Sequence, residues 1–167
     1  PKHLSSASSE DSHIDSLTKL YNRFGFTKRL EQLIKSQTPL LVFYLDIDNF
    51  KTINDTYGHD VGDSAIQLVA KCIRDNIRHS DVASRFGGEE FILAIYDEDI
   101  EGMKHILERV KKAIDERSRR VTKNGFTVSG GVVFSSASKA ESFDELFKAA
   151  DEKLYEAKST GKNKICY

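Results

Sequence analysis

Cysteine is nearly absent from this chain. Of its 167 residues only Cys72 and Cys166 carry a thiol, and neither stands in a CxxC spacing or beside a patterned histidine. That excludes a disulfide framework and a zinc site, and it suits a reducing compartment. A charge excess of either sign is also missing: 25 lysines and arginines face 26 aspartates and glutamates. No bulk basic surface is therefore available for nonspecific nucleic-acid binding, although a local anion site remains open. No apolar run reaches the roughly 20 residues of a membrane span. No secretory signal opens the chain, and no internal repeat divides it. The first residue is Pro1 and not Met, so the sequence reads as a piece of a longer protein.

At this length one domain is the simplest reading. Such a domain can bury roughly 70% of the surface its unfolded chain exposes, so it requires no staple. Residues 1–12 are Ser-rich and polar and read as a linker, with the domain proper over 13–167. Helical spacing of Phe26, Leu30, Leu33 and Ile34 predicts a helix over 23–36. The apolar run 40–45 predicts a buried central strand, which stops abruptly at Asp46-Ile47-Asp48. A short helical turn is expected over 49–54 and longer helices over 61–77, 100–119 and 143–159. Strands are expected over 126–134 and 164–166. Strands alternate with helices, yet one hairpin is antiparallel, which predicts an α/β domain with a mixed central sheet.

That hairpin is the most informative stretch. Arg85-Phe86-Gly87-Gly88-Glu89-Glu90-Phe91 lies between apolar runs and reads as strand, Gly-Gly turn, strand. A tip without side chains lets a ligand approach the backbone. Carboxylates just beyond it are placed to hold a divalent cation against a phosphate, although an ordinary acidic hairpin fits the same letters. Asp46 and Asp48 stand where the buried strand runs out, a frequent place for metal ligands in α/β proteins. Asp46, Glu89 and Glu90 form the candidate Mg²⁺ set, while helix capping is the expected structural role of Asp48. Lys51, Lys158 and Lys162 are candidate phosphate contacts. Asn54 and Asp63 are candidate base readers, because a carboxylate can accept the paired N–H donors of guanine.

Together these blocks resemble the GGDEF family of diguanylate cyclases, in a GGEEF variant at 87–91. The resemblance runs from about Asp15 to Ile165. Asp15-Ser16-Leu17-Thr18-Lys19-Leu20-Tyr21-Asn22-Arg23 is similar to the family's opening block, with Phe24 in place of its usual second Arg. Residues 46–63 resemble its D-x-D-x-F-K-x-x-N-D-x-x-G-H-x-x-G-D block, and 154–163 its closing L-Y-x-A-K-x-x-G-[KR]-N.

The resemblance implies a palm-like, ferredoxin-like nucleotidyl-cyclase fold: a central mixed sheet flanked by helices, with an added hairpin carrying the motif. It implies condensation of two GTP into cyclic di-GMP plus two pyrophosphates at a homodimer interface in bacterial signalling. Asp46, Glu89 and the Ile47 carbonyl would hold Mg²⁺ or Mn²⁺, and Glu90 would assist the metal or the attacking hydroxyl. Asn54 and Asp63 would read guanine. Lys51, Lys158, Lys162 and the backbone at Asn49 and Phe50 would hold phosphates, with Gly87 and Gly88 leaving room for substrate. Arg78 and Asp81, separated from Gly87 by the five residues 82–86, match the family's R-x-x-D inhibitory site for its product, and Arg109 would add a contact. An upstream sensor domain and a cytoplasmic location are implied, with membrane anchoring left to the parent protein. A catalytically silent module that senses GTP or cyclic di-GMP is the alternative.

Overall fold

The structure, a computed structural model, describes residues 12–97, 99–135 and 141–167. Nearly all of the expected linker, 1–11, lies outside the described residues. Asn22 opens helix α1 (Arg23–Lys35), its side-chain oxygen accepting the Gly25 N–H at 3.0 Å. Strand β1 (Leu40–Ile47) follows and runs two residues past the expected end, so Asp46 is part of the strand. Helix α2 (Phe50–Tyr57) is longer than the helical turn expected over 49–54 and stops at Gly58, whose φ is 92°. Helix α3 (His59–Asn76) begins at once. Strands β2 (Val82–Gly87) and β3 (Glu90–Tyr96) form the hairpin. Helix α4 (Ile100–Arg117) runs into a single 3-10 turn at Ser118–Arg120. Strand β4 (Val128–Ser135), helix α5 (Phe143–Ser159) and the short strand β5 (Ile165–Cys166) complete the described elements.

The sheet order is β2-β3-β1-β4-β5. All neighbours are antiparallel except β4 and β5, which makes the sheet mixed, as expected. From β1 to β4 the order of elements is that of the ferredoxin-like β-α-β-β-α-β unit with one extra helix, α2, between β1 and α3. The hairpin supplies two of the five strands.

Alternation along β1 sends side chains to both faces. Leu41, Phe43, Leu45 and Ile47 pack against Ala65, Val69 and Ile73 of α3 and Met103, Leu107 and Val110 of α4. Leu40, Val42 and Tyr44 pack against Phe26 and Leu30 of α1 and Leu146, Ala150 and Leu154 of α5. The α5 backbone presses onto β4 at Gly131, where a Cβ would lie 2.2 Å from the Leu154 nitrogen and 2.3 Å from the Ala150 oxygen. Only glycine allows that approach.

The opening block is a clamp on the hairpin. Asp15 accepts from the Thr18 N–H at 2.9 Å and its hydroxyl at 2.7 Å. Tyr21 then takes a place beside β2: its N–H donates to Ala83 O at 3.3 Å, and its carbonyl accepts the Arg85 N–H at 3.0 Å.

Candidate active site

Because Asp46 pairs directly with Glu90 across β1 and β3, both side chains leave the sheet on the face covered by α5. Tyr44, two residues earlier, shares that face and donates its hydroxyl to Glu90 Oε2. Burial first, then that hydrogen bond and the negative charge around it, raise the Tyr44 phenol above its ordinary range, so it stays a donor. Glu89 lies in the turn, where its carbonyl accepts the Ile47 N–H at 3.3 Å. The turn itself is Gly88-Glu89, one residue later than the letters suggest. Gly87 pairs with Glu90 across a register shift, and Gly88 carries the positive φ of 24°.

Asp48 does not cap α2. The cap position is Asn49, in a left-handed conformation and without a side-chain capping bond. Asp48 is instead the buried hub of the site, 3% exposed. Its Oδ1 accepts Ser129 Oγ at 2.6 Å and Lys158 Nζ at 2.8 Å. Its Oδ2 accepts Thr127 Oγ1 at 2.7 Å and the Asn163 N–H at 3.0 Å. Lys158 reaches across to Asp46 as well, so one ammonium serves two carboxylates.

The charges divide unequally. Burial opposes ionisation of Asp48, but Lys158, Ser129 and Thr127 outweigh it and hold its carboxyl below the usual range. Burial pulls Lys158 down, yet its bonds to Asp46 and Asp48 hold it above its ordinary value. Asp46 has fewer partners. Burial pushes its carboxyl up to about 6, with Lys158 pulling the other way and Glu89 and Asp48 adding repulsion.

Among the described residues no three histidine, cysteine, aspartate or glutamate side chains gather closely enough to share an ion. The expected set of Asp46, Glu89 and Glu90 is therefore not assembled, and Glu90 turns toward Tyr44. The donors still suit a hard cation that keeps part of its water shell. They are all oxygens, and Asp46 Oδ1 is buried and accepts no regular hydrogen bond, meeting only the Lys158 ammonium.

Asn54 is held over Gly62, where a Cβ would stand 1.9 Å from Asn54 Oδ1. That oxygen is buried and has no donor, as a base-reading acceptor requires before its ligand arrives. Asp63 is the next residue on α3 and is exposed. It lies beyond the first turn of α3, whose acid is Asp60. Lys162 donates to Asn49 Oδ1 at 2.8 Å, which ties the closing block to the start of α2. Phe50 packs against the core, and Lys51 is exposed.

Arg78 is spoken for. Its Nη2 contacts Asp81 Oδ1 at 2.9 Å and Tyr96 O at 3.0 Å, and its Nη1 contacts Asp97 Oδ2 at 2.6 Å. Arg109 donates to Asn76 O at 2.9 Å, at the end of the helix that leads to Arg78. The three residues of the expected inhibitory site thus cluster around one corner, with the arginine engaged by its own chain.

Two positions that support the site escaped the sequence reading. Tyr44 sits inside an apolar run and looks like core. Arg85 donates to the tip carbonyl of Gly88 at 2.9 Å and to Asp15 at 3.3 Å. Its place beside the glycines was the only available signal.

Fold and site together define a five-stranded α/β domain whose central strand ends in acids bridged by a lysine. The chain belongs to the GGDEF diguanylate cyclase domain family, whose model matches residues 12–164. It is 37% identical over 159 residues to the probable diguanylate cyclase DgcT of Escherichia coli, covering 92% of this chain and 35% of DgcT. It is 35% identical over 159 residues to the response regulator PleD of Caulobacter vibrioides, covering 90% of this chain and 35% of PleD. The chain thus spans about a third of the length of these relatives. The coiled coil and GGDEF domain of DgcB from Caulobacter crescentus, solved in complex with c-di-GMP, is similar with a TM-score of 0.88 and 31% identity. That likeness covers 99% of this chain and 90% of that one.

Proposed function

We propose that this domain condenses two GTP into cyclic di-GMP. The observation that carries the reading is the register: Asp46 stands directly opposite Glu90 beside the open glycine tip, with Lys158 over the same face. In each of two steps the 3′-oxygen of one GTP bonds to the α-phosphorus of the other. The bond from that phosphorus to the β-phosphate bridging oxygen breaks. Pyrophosphate leaves, and the hydroxyl proton passes to a base at the site.

Family membership and the donor set support Asp46, Glu89 and the Ile47 carbonyl as holders of Mg²⁺ or Mn²⁺, which when bound would neutralise phosphate charge and lower the barrier to hydroxyl ionisation. Glu90, oriented by Tyr44, faces the attacking hydroxyl. Asn54 and Asp63 accept from guanine, and adenine lacks the donors that would satisfy them. Lys158, Lys162 and Lys51 take the phosphates, together with the backbone N–H groups at Asn49 and Phe50 where α2 begins. Gly87 and Gly88 leave the tip open for the second nucleotide. Most of the acceleration is positioning, which requires two domains face to face. The parent protein supplies a sensor that controls the pairing, and the domain works in the cytoplasm. No described helix is long and apolar enough to cross a membrane.

The test joins the domain to a dimerising coiled coil, adds GTP and Mg²⁺, and looks for cyclic di-GMP by mass spectrometry. Product from the parent and none from Glu89→Ala is the expected result. A folded, dimeric fusion that makes no product, yet binds GTP or cyclic di-GMP, would establish a sensing module instead. Arg78, Asp81 and Arg109 are proposed to bind cyclic di-GMP as a feedback inhibitor. Arg78→Ala is expected to weaken its binding at least tenfold, the cost of roughly one charge-assisted contact, read by calorimetry.

A further inference from the structure

Behind α2 lies a cavity of about 660 Å³. Thr52, Ile53 and Thr56 face it, a different side of the helix from Asn54. The opposite wall is the segment between α4 and β4, including Thr122, Asn124 and Thr127. Asp46, Glu89, Glu90, Asn54, Asp63 and Lys158 do not line it. Of the residues assigned to the proposed GTP site only Asn49 also lines this cavity.

Two observations point to a ligand. Thr122 is 4% exposed, and its hydroxyl has no hydrogen-bond partner. Asp115 Oδ1 is also buried and unpartnered, while Oδ2 accepts Lys111 at 3.1 Å. Buried polar atoms are normally satisfied, and each exception costs about 1–3 kcal/mol. Two exceptions on one cavity wall mark where a ligand's polar groups belong.

The lining decides the ligand's chemistry. Its carboxylates, Asp48 and Asp115, are already matched by Lys158 at 2.8 Å and Lys111 at 3.1 Å. With those acids paired, Arg119 is the one cation in the lining, and its exposed position leaves little fixed charge inside the cavity to select an anion. The remaining polar groups are hydroxyls and amides, able both to donate and to accept. Phe126 and Ile53, each 7% exposed, give an apolar floor. Tyr57, 42% exposed, gives a ring at the rim. Donors and acceptors above a flat apolar surface suit a ring bearing several hydroxyls.

We propose that this cavity is a second small-molecule site, for a neutral polyhydroxylated ligand: a nucleoside or a sugar. It touches the catalytic face through Asp48. Thr127 and Asn163 line the cavity and donate to Asp48 Oδ2 at 2.7 Å and 3.0 Å. Asp48 Oδ1 holds Lys158, and Lys158 reaches Asp46. A ligand that draws on Thr127 or Asn163 redistributes the bonds that place Lys158. Binding stands whatever the domain catalyses; only the effect on turnover rests on the cyclase reading.

The test is a ¹H–¹⁵N NMR titration of the domain with adenosine and, separately, with trehalose, each into the millimolar range. Adenosine is the nucleoside probe because it lacks the donors that Asn54 and Asp63 await. Saturable shifts at Thr122, Asn124, Thr127 and Asn163 are expected, weakened about tenfold in Thr122→Val, which deletes one hydrogen bond at nearly constant shape. Should that variant fail to fold, Asn124→Ala, at an exposed rim position, carries the same comparison. Shifts with adenosine alone mark a nucleoside site, and shifts with trehalose alone a sugar site. Shifts with both mark recognition of ring hydroxyls. Saturation with neither, or affinity unchanged in both variants, overturns the proposal. Turnover of GTP is then measured with and without the bound probe. A change of about twofold or more supports the coupling, and an unchanged rate overturns the coupling while leaving the site.

Discussion

Asp46 carries a cost that the proposed cation-binding role would explain. Its carboxyl, pushed up to about 6 by burial, titrates above the roughly 3.9 of an unfolded chain. The folded state therefore binds this proton more tightly than the unfolded state does. The stability this gives is complete below about pH 4 and is lost as pH rises through 6. At pH 8 the cation-free domain holds a poorly solvated charge. Asp46→Asn should then raise the stability of the cation-free domain at pH 8 by about 1–3 kcal/mol, the two proteins converging toward pH 4. Calorimetry at the two pH values decides it, and a variant melting lower at pH 8 would refute the burial account. Added Mg²⁺ should stabilise the parent and not the variant. Tyr44 supplies a second case. Tyr44→Phe removes the donor to Glu90 and almost no volume. Turnover should fall roughly tenfold, the loss of about one hydrogen bond, with KM for GTP little changed. In a Glu90→Gln background the same change should have no further effect on turnover. An equal loss in both backgrounds would show that Tyr44 does not act through Glu90.

The hairpin is held from three sides, and most of that is invisible along the chain. Phe86, just before the glycines, stacks on Phe147 at 5.4 Å and meets Phe143 at 6.1 Å, while the Arg23 guanidinium lies over the Phe86 ring at 4.7 Å and within 6.0 Å of Phe147. Arg85 ties the tip to Asp15. Phe86→Ala should cost about 3–5 kcal/mol if the ring packs as a full core residue, less in proportion to its partial exposure. Hydrogen exchange should show faster opening in β2 and β3 before α3 or α4 is affected; uniform loss of protection would contradict a local anchor. Helix α5 was legible to the residue, because Ser142 caps it and apolar spacing runs unbroken to Ser159. Helix α2 was not, because its apolar face is short and its stop, Gly58, lies four residues beyond the expected end. Asp46, Glu89 and Glu90 were legible as acids at strand ends. The role of Asp48 was not, because its partners Thr127, Ser129, Lys158 and Asn163 lie 79 to 115 residues away. Local pattern favours the nearest helix and so predicts a cap.

Among the described residues the proposed GTP site is a single one, built on one sheet. Asn54 over Gly62 gives one proposed base position, and Asp46 and Glu89 are one proposed pair of cation ligands. Cyclic di-GMP needs two GTP with each 3′-oxygen aimed at the other's α-phosphorus. On the proposed cyclase reading, a two-fold dimer would place two identical half-sites in that relation, each lending its open tip to the other. Below the dissociation constant of such a dimer the paired fraction grows in proportion to concentration. Rate per subunit should therefore rise linearly with protein concentration and then level off. Fusion to a dimerising coiled coil should lift the dilute protein to the plateau and abolish the dependence, because the second domain then arrives at an effective concentration in the millimolar range. The measurement is cyclic di-GMP formed per subunit at a series of dilutions, with and without the fusion. A rate per subunit that stays flat on dilution in the unfused domain would mean that one chain completes the reaction alone. The hairpin tip would then have to serve both nucleotides of its own subunit.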